Sequence, residues 1–161
     1  MDRREDLGMA STVLSFGARS WEQEMASTRV LVVEDFLPFR RLICATLGKK
    51  PGVEIIAEVS DGQEAVRKAE ELRPDLILLD IGLPTLNGIA AARQIRQLVP
   101  HSKIIFVTQE SSEDVVQEAL STGALGYVAK TTMNGSLLAA VDAALEGKQF
   151  ISKSLLRSGS G

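Results

Sequence analysis

Four apolar runs, each giving way to a polar or charged side chain, constrain this chain more than any other feature. Arg29-Val30-Leu31-Val32-Val33-Glu34-Asp35 ends on two acids, and Asp75-Leu76-Ile77-Leu78-Leu79-Asp80 ends on a third. Lys103-Ile104-Ile105-Phe106-Val107 leads into Thr108, and the shorter Gly126-Tyr127-Val128-Ala129 leads into Lys130. Parallel strands covered on both faces read as unbroken apolar runs, and ligands of open α/β sheets gather beyond the carboxyl ends of the strands. The runs therefore predict one rim carrying three carboxylates, a hydroxyl and an ammonium. Such a pocket is acidic and suited to magnesium, with a lysine beside it.

Strands are predicted near 29–34, 54–59, 75–80, 103–107 and 126–129, alternating with helical patterns near 37–49, 62–72, 87–98, 112–122 and 134–146. Leu42, Ile43 and Leu47 carry the helical spacing in the first, and Ala65, Val66, Ala69 and Leu72 carry it in the second. Asp61 reads as an N-cap with Glu64 three positions on, and Ser111 or Ser112 caps the fourth helix. Pro74 and Pro100 mark the ends of the second and third. Helices of this length between buried strands make βαβ units with right-handed crossovers. The expected fold is α/β, a doubly wound, flavodoxin-like sandwich around a five-stranded parallel sheet in the order 2-1-3-4-5.

The 161 residues suffice for one domain with a real core. A net charge of −3 without a basic patch speaks against nucleic acid or an anionic membrane as partner of this domain. The single cysteine, Cys44, excludes an internal disulfide framework and suits a reducing compartment. No apolar stretch is long enough to span a bilayer, and Met1-Asp2-Arg3-Arg4-Glu5-Asp6 lacks a secretory signal's apolar core, so a cytoplasmic location is expected. Cys44 reads as a small packed side chain and His101 as a solvated loop residue.

Three regions follow: an extension over 1–28, a folded domain over 29–150 and a polar, Gly/Ser-rich linker or truncated tail over 151–161. The extension is a frayed tail or a short helix carrying Val13, Leu14, Phe16 and Trp21. Met9-Ala10-Ser11-Thr12 recurs as Met25-Ala26-Ser27-Thr28, too short a match to establish a repeat; Met25 and Met9 are alternative starts to Met1.

The acidic pair Glu34-Asp35, Asp80, Thr108 and Lys130 stand in order at successive strand ends. Leu83-Pro84-Thr85-Leu86-Asn87-Gly88 forms a Pro-x-x-x-Gly turn, Phe36-Leu37-Pro38-Phe39-Arg40-Arg41 opens the first helix, and Gly123-Ala124-Leu125-Gly126-Tyr127-Val128-Ala129-Lys130 forms the fifth strand. Together these resemble the CheY-like receiver domain of two-component response regulators, over roughly residues 29 to 150. The resemblance implies that Asp80 is the phosphoacceptor, a carboxylate nucleophile that forms an aspartyl phosphate. It implies Mg2+ held directly by Asp35 and Asp80, through water by Glu34, and by the backbone carbonyl of Gly82. Lys130 is expected to pair with Asp80 at rest and with a phosphoryl oxygen afterwards, and Thr108 Oγ to bond another. Tyr127 is expected to turn inward as a switch, changing a surface made by the fourth helix, fifth strand and fifth helix. Each residue has a plainer reading: Asp80 as a helix N-cap, Thr108 as a loop cap, Tyr127 as core, Lys130 as a solvated charge. Their occurrence together favours the site.

The chain departs from the family pattern at Gln109, where most receivers carry Ala or Ser, at Gly82, two past Asp80, and at Thr131, where Pro is frequent. The end from Leu137 to Ser152 resembles the last receiver helix and following turn of NarL/FixJ-like transcription regulators, which continue into a helix-turn-helix domain. The implied partners are a histidine kinase or phosphotransfer protein, an output domain or downstream protein, and a second copy in a weak, phosphorylation-dependent homodimer. A competing expectation is a degenerate receiver acting as an unphosphorylated protein-interaction module, supported by Gln109 and Gly82. A metabolic enzyme is not expected. A phosphate-binding enzyme needs a Gly-rich loop where Glu34-Asp35-Phe36-Leu37-Pro38 has no glycine, and an aspartate-nucleophile phosphatase wants an acid where Gly82 stands.

Overall fold

Alternate residues of the central strands enter two different cores, and this divides the molecule into layers. The computed structural model describes residues 27–153 and Leu155. The expected helix or tail with Val13, Leu14, Phe16 and Trp21, and positions 156–161, lie outside the described residues. Strands β1 (Thr28–Val33), β2 (Val53–Val59), β3 (Leu76–Leu79), β4 (Lys103–Thr108) and β5 (Gly126–Ala129) alternate with helices α1 (Leu37–Leu47), α2 (Gly62–Leu72), α3 (Gly88–Leu98), α4 (Glu113–Ser121) and α5 (Met133–Leu145). A 3₁₀ turn over Lys130–Thr132 joins β5 to α5, and a short strand β6 (Phe150–Ile151) follows. The sheet order is β2-β1-β3-β4-β5-β6, every pairing parallel. The expected five strands thus stand in the expected order, with β6 added at the β5 edge.

Leu31, Val33, Ile77, Leu79, Ile104, Phe106 and Tyr127 pack against α2, α3 and α4 through residues such as Ala65, Ala92, Ile95 and Ala119. Their strand neighbours Val30, Val32, Leu76, Leu78, Ile105, Val107 and Val128 pack against Ile43 and Leu47 of α1 and Leu137, Ala140, Val141 and Ala144 of α5. A pleated strand points successive side chains to opposite faces. Runs apolar at every position are therefore what a sheet covered on both faces requires.

Helix starts agree with the capping chemistry. Asp61 Oδ1 accepts from Glu64 N at 2.7 Å, Asn87 Oδ1 from Ala90 N at 2.9 Å, and Ser112 Oγ from Val115 N at 3.4 Å. α1 lacks a side-chain cap but carries Pro38 in its first turn, where a missing N–H costs nothing.

The segment after α5 is packed where the sequence suggested a polar linker. Phe150 N donates to Leu125 O at 2.8 Å, Ser152 N to Tyr127 O at 3.0 Å, and Ala129 N to Ser152 Oγ at 3.0 Å. Ser152 and Leu155 are buried, the latter in the core that holds Tyr127. The packed body thus reaches past residue 150. The Lys130–Thr131 bond, like every other peptide bond described, is trans.

Candidate functional site

Each candidate side chain stands where a strand stops. Glu34 follows β1, Asp80 follows β3, Thr108 is the last residue of β4 and Lys130 opens the turn after β5. Asp80 N donates to Val33 O at 3.1 Å and Glu34 N to Val59 O at 3.0 Å, so neighbouring strand ends are locked level with one another. Beyond Asp80 the chain turns sharply enough that Gly88 lies against it: a Cβ built on Gly88 would sit 1.9 Å from the Asp80 carbonyl oxygen. Gly62 is equally close to Leu86, at 1.8 Å from its carbonyl oxygen. Thr85 crosses the same turn at φ 66°, and its hydroxyl donates to Asp61 Oδ1 at 3.1 Å, tying the turn to the cap of α2.

Lys130 is the centre of the charge arrangement. Its Nζ donates to Asp80 Oδ2 at 2.9 Å and to Glu34 Oε1, and its side chain is almost wholly buried. The Asp80 pairing was expected, whereas the Glu34 pairing was not. Asp80 Oδ1 accepts from Ile81 N at 2.7 Å. Burial pushes Asp80 up, but the hydrogen bond and charge of Lys130, with the neighbouring Glu34 carboxyl, outweigh it, and its pKa lies below the usual value. For Glu34, which is 0% exposed, burial dominates and holds it up at about 7 despite the donated bond from Lys130. Burial would lower Lys130, yet its bonds to the two carboxylates raise it overall.

Asp35 is exposed at the mouth. One carboxylate oxygen from each of Glu34, Asp35 and Asp80 lies within 4.8 Å of the others. Glu34 Oε2 is buried and has no hydrogen-bond donor. Three carboxylates that converge, one of them with an oxygen lacking a protein partner, fit a hard divalent cation. A cavity of about 350 Å³ opens over them, lined by Asp35, Phe36, Asp80, Gly82, Thr108, Gln109, Glu110 and Lys130. Every predicted site residue except Glu34 and Tyr127 lines it. Glu34 lies beneath, against Lys130.

Tyr127 is fully buried, tilted against Phe106 at 6.2 Å between ring centroids, and its hydroxyl donates to Glu110 O at 2.7 Å. Thr108 Oγ accepts from Glu110 N at 3.3 Å. The two expected switch residues therefore grip the same peptide neighbourhood in the loop between β4 and α4. Gln109 is exposed and reaches the cavity wall. Phe39, which the sequence offered only as part of the first helix, lies with its ring centroid 4.5 Å from Lys130 Nζ.

A parallel sheet with this order and a lysine bridged to acids at its carboxyl rim define a class. Residues 30–142 match the response regulator receiver domain family, and the chain belongs to it, as a receiver of two-component systems. It is 38% identical over 120 residues to the transcriptional regulatory protein LiaR of Bacillus subtilis, covering 74% of this chain and 57% of LiaR. It is 37% identical over 102 residues to the chemotaxis protein CheY of Thermotoga maritima, covering 63% of this chain and 84% of CheY. A two-component response regulator of the LuxR family from Aurantimonas superposes with a TM-score of 0.78 at 30% identity, over 81% of this chain and 94% of that one. The chain spans little more than half the length of the regulatory relatives it matches, 57% of LiaR and 52% of DegU of Brevibacillus brevis. Among the described residues no helix is long and apolar enough to cross a membrane.

Proposed function

We propose that this receiver accepts a phosphoryl group on Asp80 from a phosphohistidine of a histidine kinase or phosphotransfer protein. The placement of Lys130 Nζ, 2.9 Å from Asp80 Oδ2 inside a cluster of three carboxylates, carries this reading. A carboxylate oxygen of Asp80 forms the new O–P bond as the donor's P–N bond breaks, and the departing imidazole keeps the electron pair of that bond. Lys130 supplies a fixed positive charge for the oxygens of the transferring group, already desolvated and oriented. Thr108 offers a hydroxyl on the cavity wall for another of those oxygens.

The acids alone would repel an anionic donor. Asp35 and Asp80 would hold Mg2+ directly, with the Gly82 carbonyl, while Glu34 would act through water. Bound there, the cation neutralises the carboxylates and polarises the phosphoryl oxygens.

The output is a changed surface of α4, β5 and α5, to which Tyr127 and Thr108 are connected through Glu110. In a protein related to LiaR that output is control of transcription through a further domain, with a weak homodimer formed on phosphorylation. Intact mass after incubation with acetyl phosphate and magnesium tests the site, with Asp80→Asn alongside. One added phosphoryl group in the parent and none in the variant is expected. No gain, together with no binding of beryllofluoride, would overturn the proposal in favour of an unphosphorylated interaction module.

A further inference from the structure

Phe39 is the third residue of α1, and its position follows from its neighbours. Pro38 fixes the backbone just before it, and the Arg40 guanidinium just after it donates to Glu34 O at 2.9 Å and bridges to Glu58 at 3.3 Å. The first turn of α1 is thereby anchored to the end of β1, and the ring is directed at Lys130 Nζ, 4.5 Å from its centroid. The ammonium then has anions on one side, Asp80 and Glu34, and an aromatic face on another. An aromatic ring carries negative potential on its face and attracts a cation within about 6 Å of the centroid, more strongly where water is excluded. Lys130, with side-chain exposure of 10%, meets that condition.

The ring and the lysine also border a common space. A second cavity, of about 590 Å³, lies beside Lys130 and is walled by Phe39, Thr108, Ala129 and Leu155. Lys130 is a flexible four-carbon chain carrying a point charge, so its direction is set by what surrounds it.

We propose that Phe39 is a positioning residue for Lys130, its aromatic face holding the ammonium over Asp80 during phosphoryl transfer. The proposal rests on Asp80 being the phosphoacceptor. It makes ring electronics, not ring volume, the property that matters at this position.

Replacing Phe39 by mono-, di- and trifluorophenylalanine in the full chain withdraws charge from the ring face with little change in size. The rate of phosphorylation by acetyl phosphate with magnesium should fall stepwise along the series, by roughly 3- to 10-fold at trifluorophenylalanine. Phe39→Leu should fall at least as far, and Phe39→Trp should recover the parent rate. The exchange of the Lys130 Nζ protons with water, measured by NMR without any phosphodonor, should quicken in the same order. Rates that stay flat across the fluorinated series, with Nζ exchange unchanged, would overturn the proposal and leave Phe39 a packing residue. A parent that takes no phosphoryl group would defeat the phosphoacceptor reading alone, because the Nζ exchange series still decides whether the ring holds the ammonium.

Discussion

Glu34 has no exposed surface, and its burial has a consequence for stability that can be given a sign. Its carboxyl is held up at about 7 in the folded chain against a usual value of 4.5. Between those values the folded state keeps a proton that the unfolded state has lost, so this contribution is complete below 4.5 and disappears as pH rises through about 7. Asp80, held low, acts in the opposite sense: its contribution is present above its usual range and is lost as pH falls. In metal-free protein, Glu34→Gln should flatten the decline between pH 4.5 and 7 and stabilise the fold at neutral pH by about 1–3 kcal/mol, read from urea unfolding. Gly88→Ala should do the reverse without touching a charge. Its methyl would meet the Asp80 carbonyl, costing about 1–3 kcal/mol in the same assay and slowing phosphorylation by displacing Asp80. At this scale the sequence exposed the Asp80–Lys130 pair, because strand ends of a parallel sheet share one rim. It did not expose Glu34–Lys130, Phe39–Lys130 or Asp61–Thr85, which depend on rotamers and on the turns after the strands.

Among the elements, β6 and the residues after it change the role of β5. Ser152 Oγ is the acceptor for Ala129 N, the peptide next to Lys130, and Leu155 packs in the core that holds Tyr127. The segment after α5 is therefore fastened to the strand that bears both the lysine and the tyrosine. Ser152→Ala leaves that buried N–H without its acceptor, a loss of about 1–3 kcal/mol. Hydrogen exchange should show it as reduced protection of the Ala129 amide, with the Leu31 amide in β1 unchanged. The main strands and helices were legible because each carries a core-length apolar run or a helical spacing, and Asp61 and Ser112 marked two of the starts. β6 was not legible, since two residues in polar surroundings pair only because β5 presents an open edge to them.

At the scale of the molecule, two cores back a single rim, and the rim concentrates negative charge that, among the described residues, Lys130 offsets from within. Any hard cation that binds there and not to the unfolded chain should raise the unfolding temperature. Magnesium at 100 times its Kd would add about 2.7 kcal/mol, and Asp35→Asn should remove most of the increase while leaving the metal-free midpoint near that of the parent. The α/β class and the order of the five main strands were readable from the alternation of run and spacing. The two-faced core was not readable helix by helix, because nothing in the sequence assigns α1 and α5 to one side of the sheet and the other three to the opposite side.

Among the described residues strand β2, seven residues long, pairs with β1 alone. An open strand invites pairing with a second chain, and pairing of β2 with the opposite edge of another copy would be head to tail and would not close. Glu54 and Glu58 are exposed along β2, so two copies meeting there would set like charges together. At the opposite end, β6 already occupies part of the β5 edge. Among the described residues, then, neither edge of the sheet offers a long uncharged strand to a second copy, and the weak homodimer proposed above would have to form on helical faces.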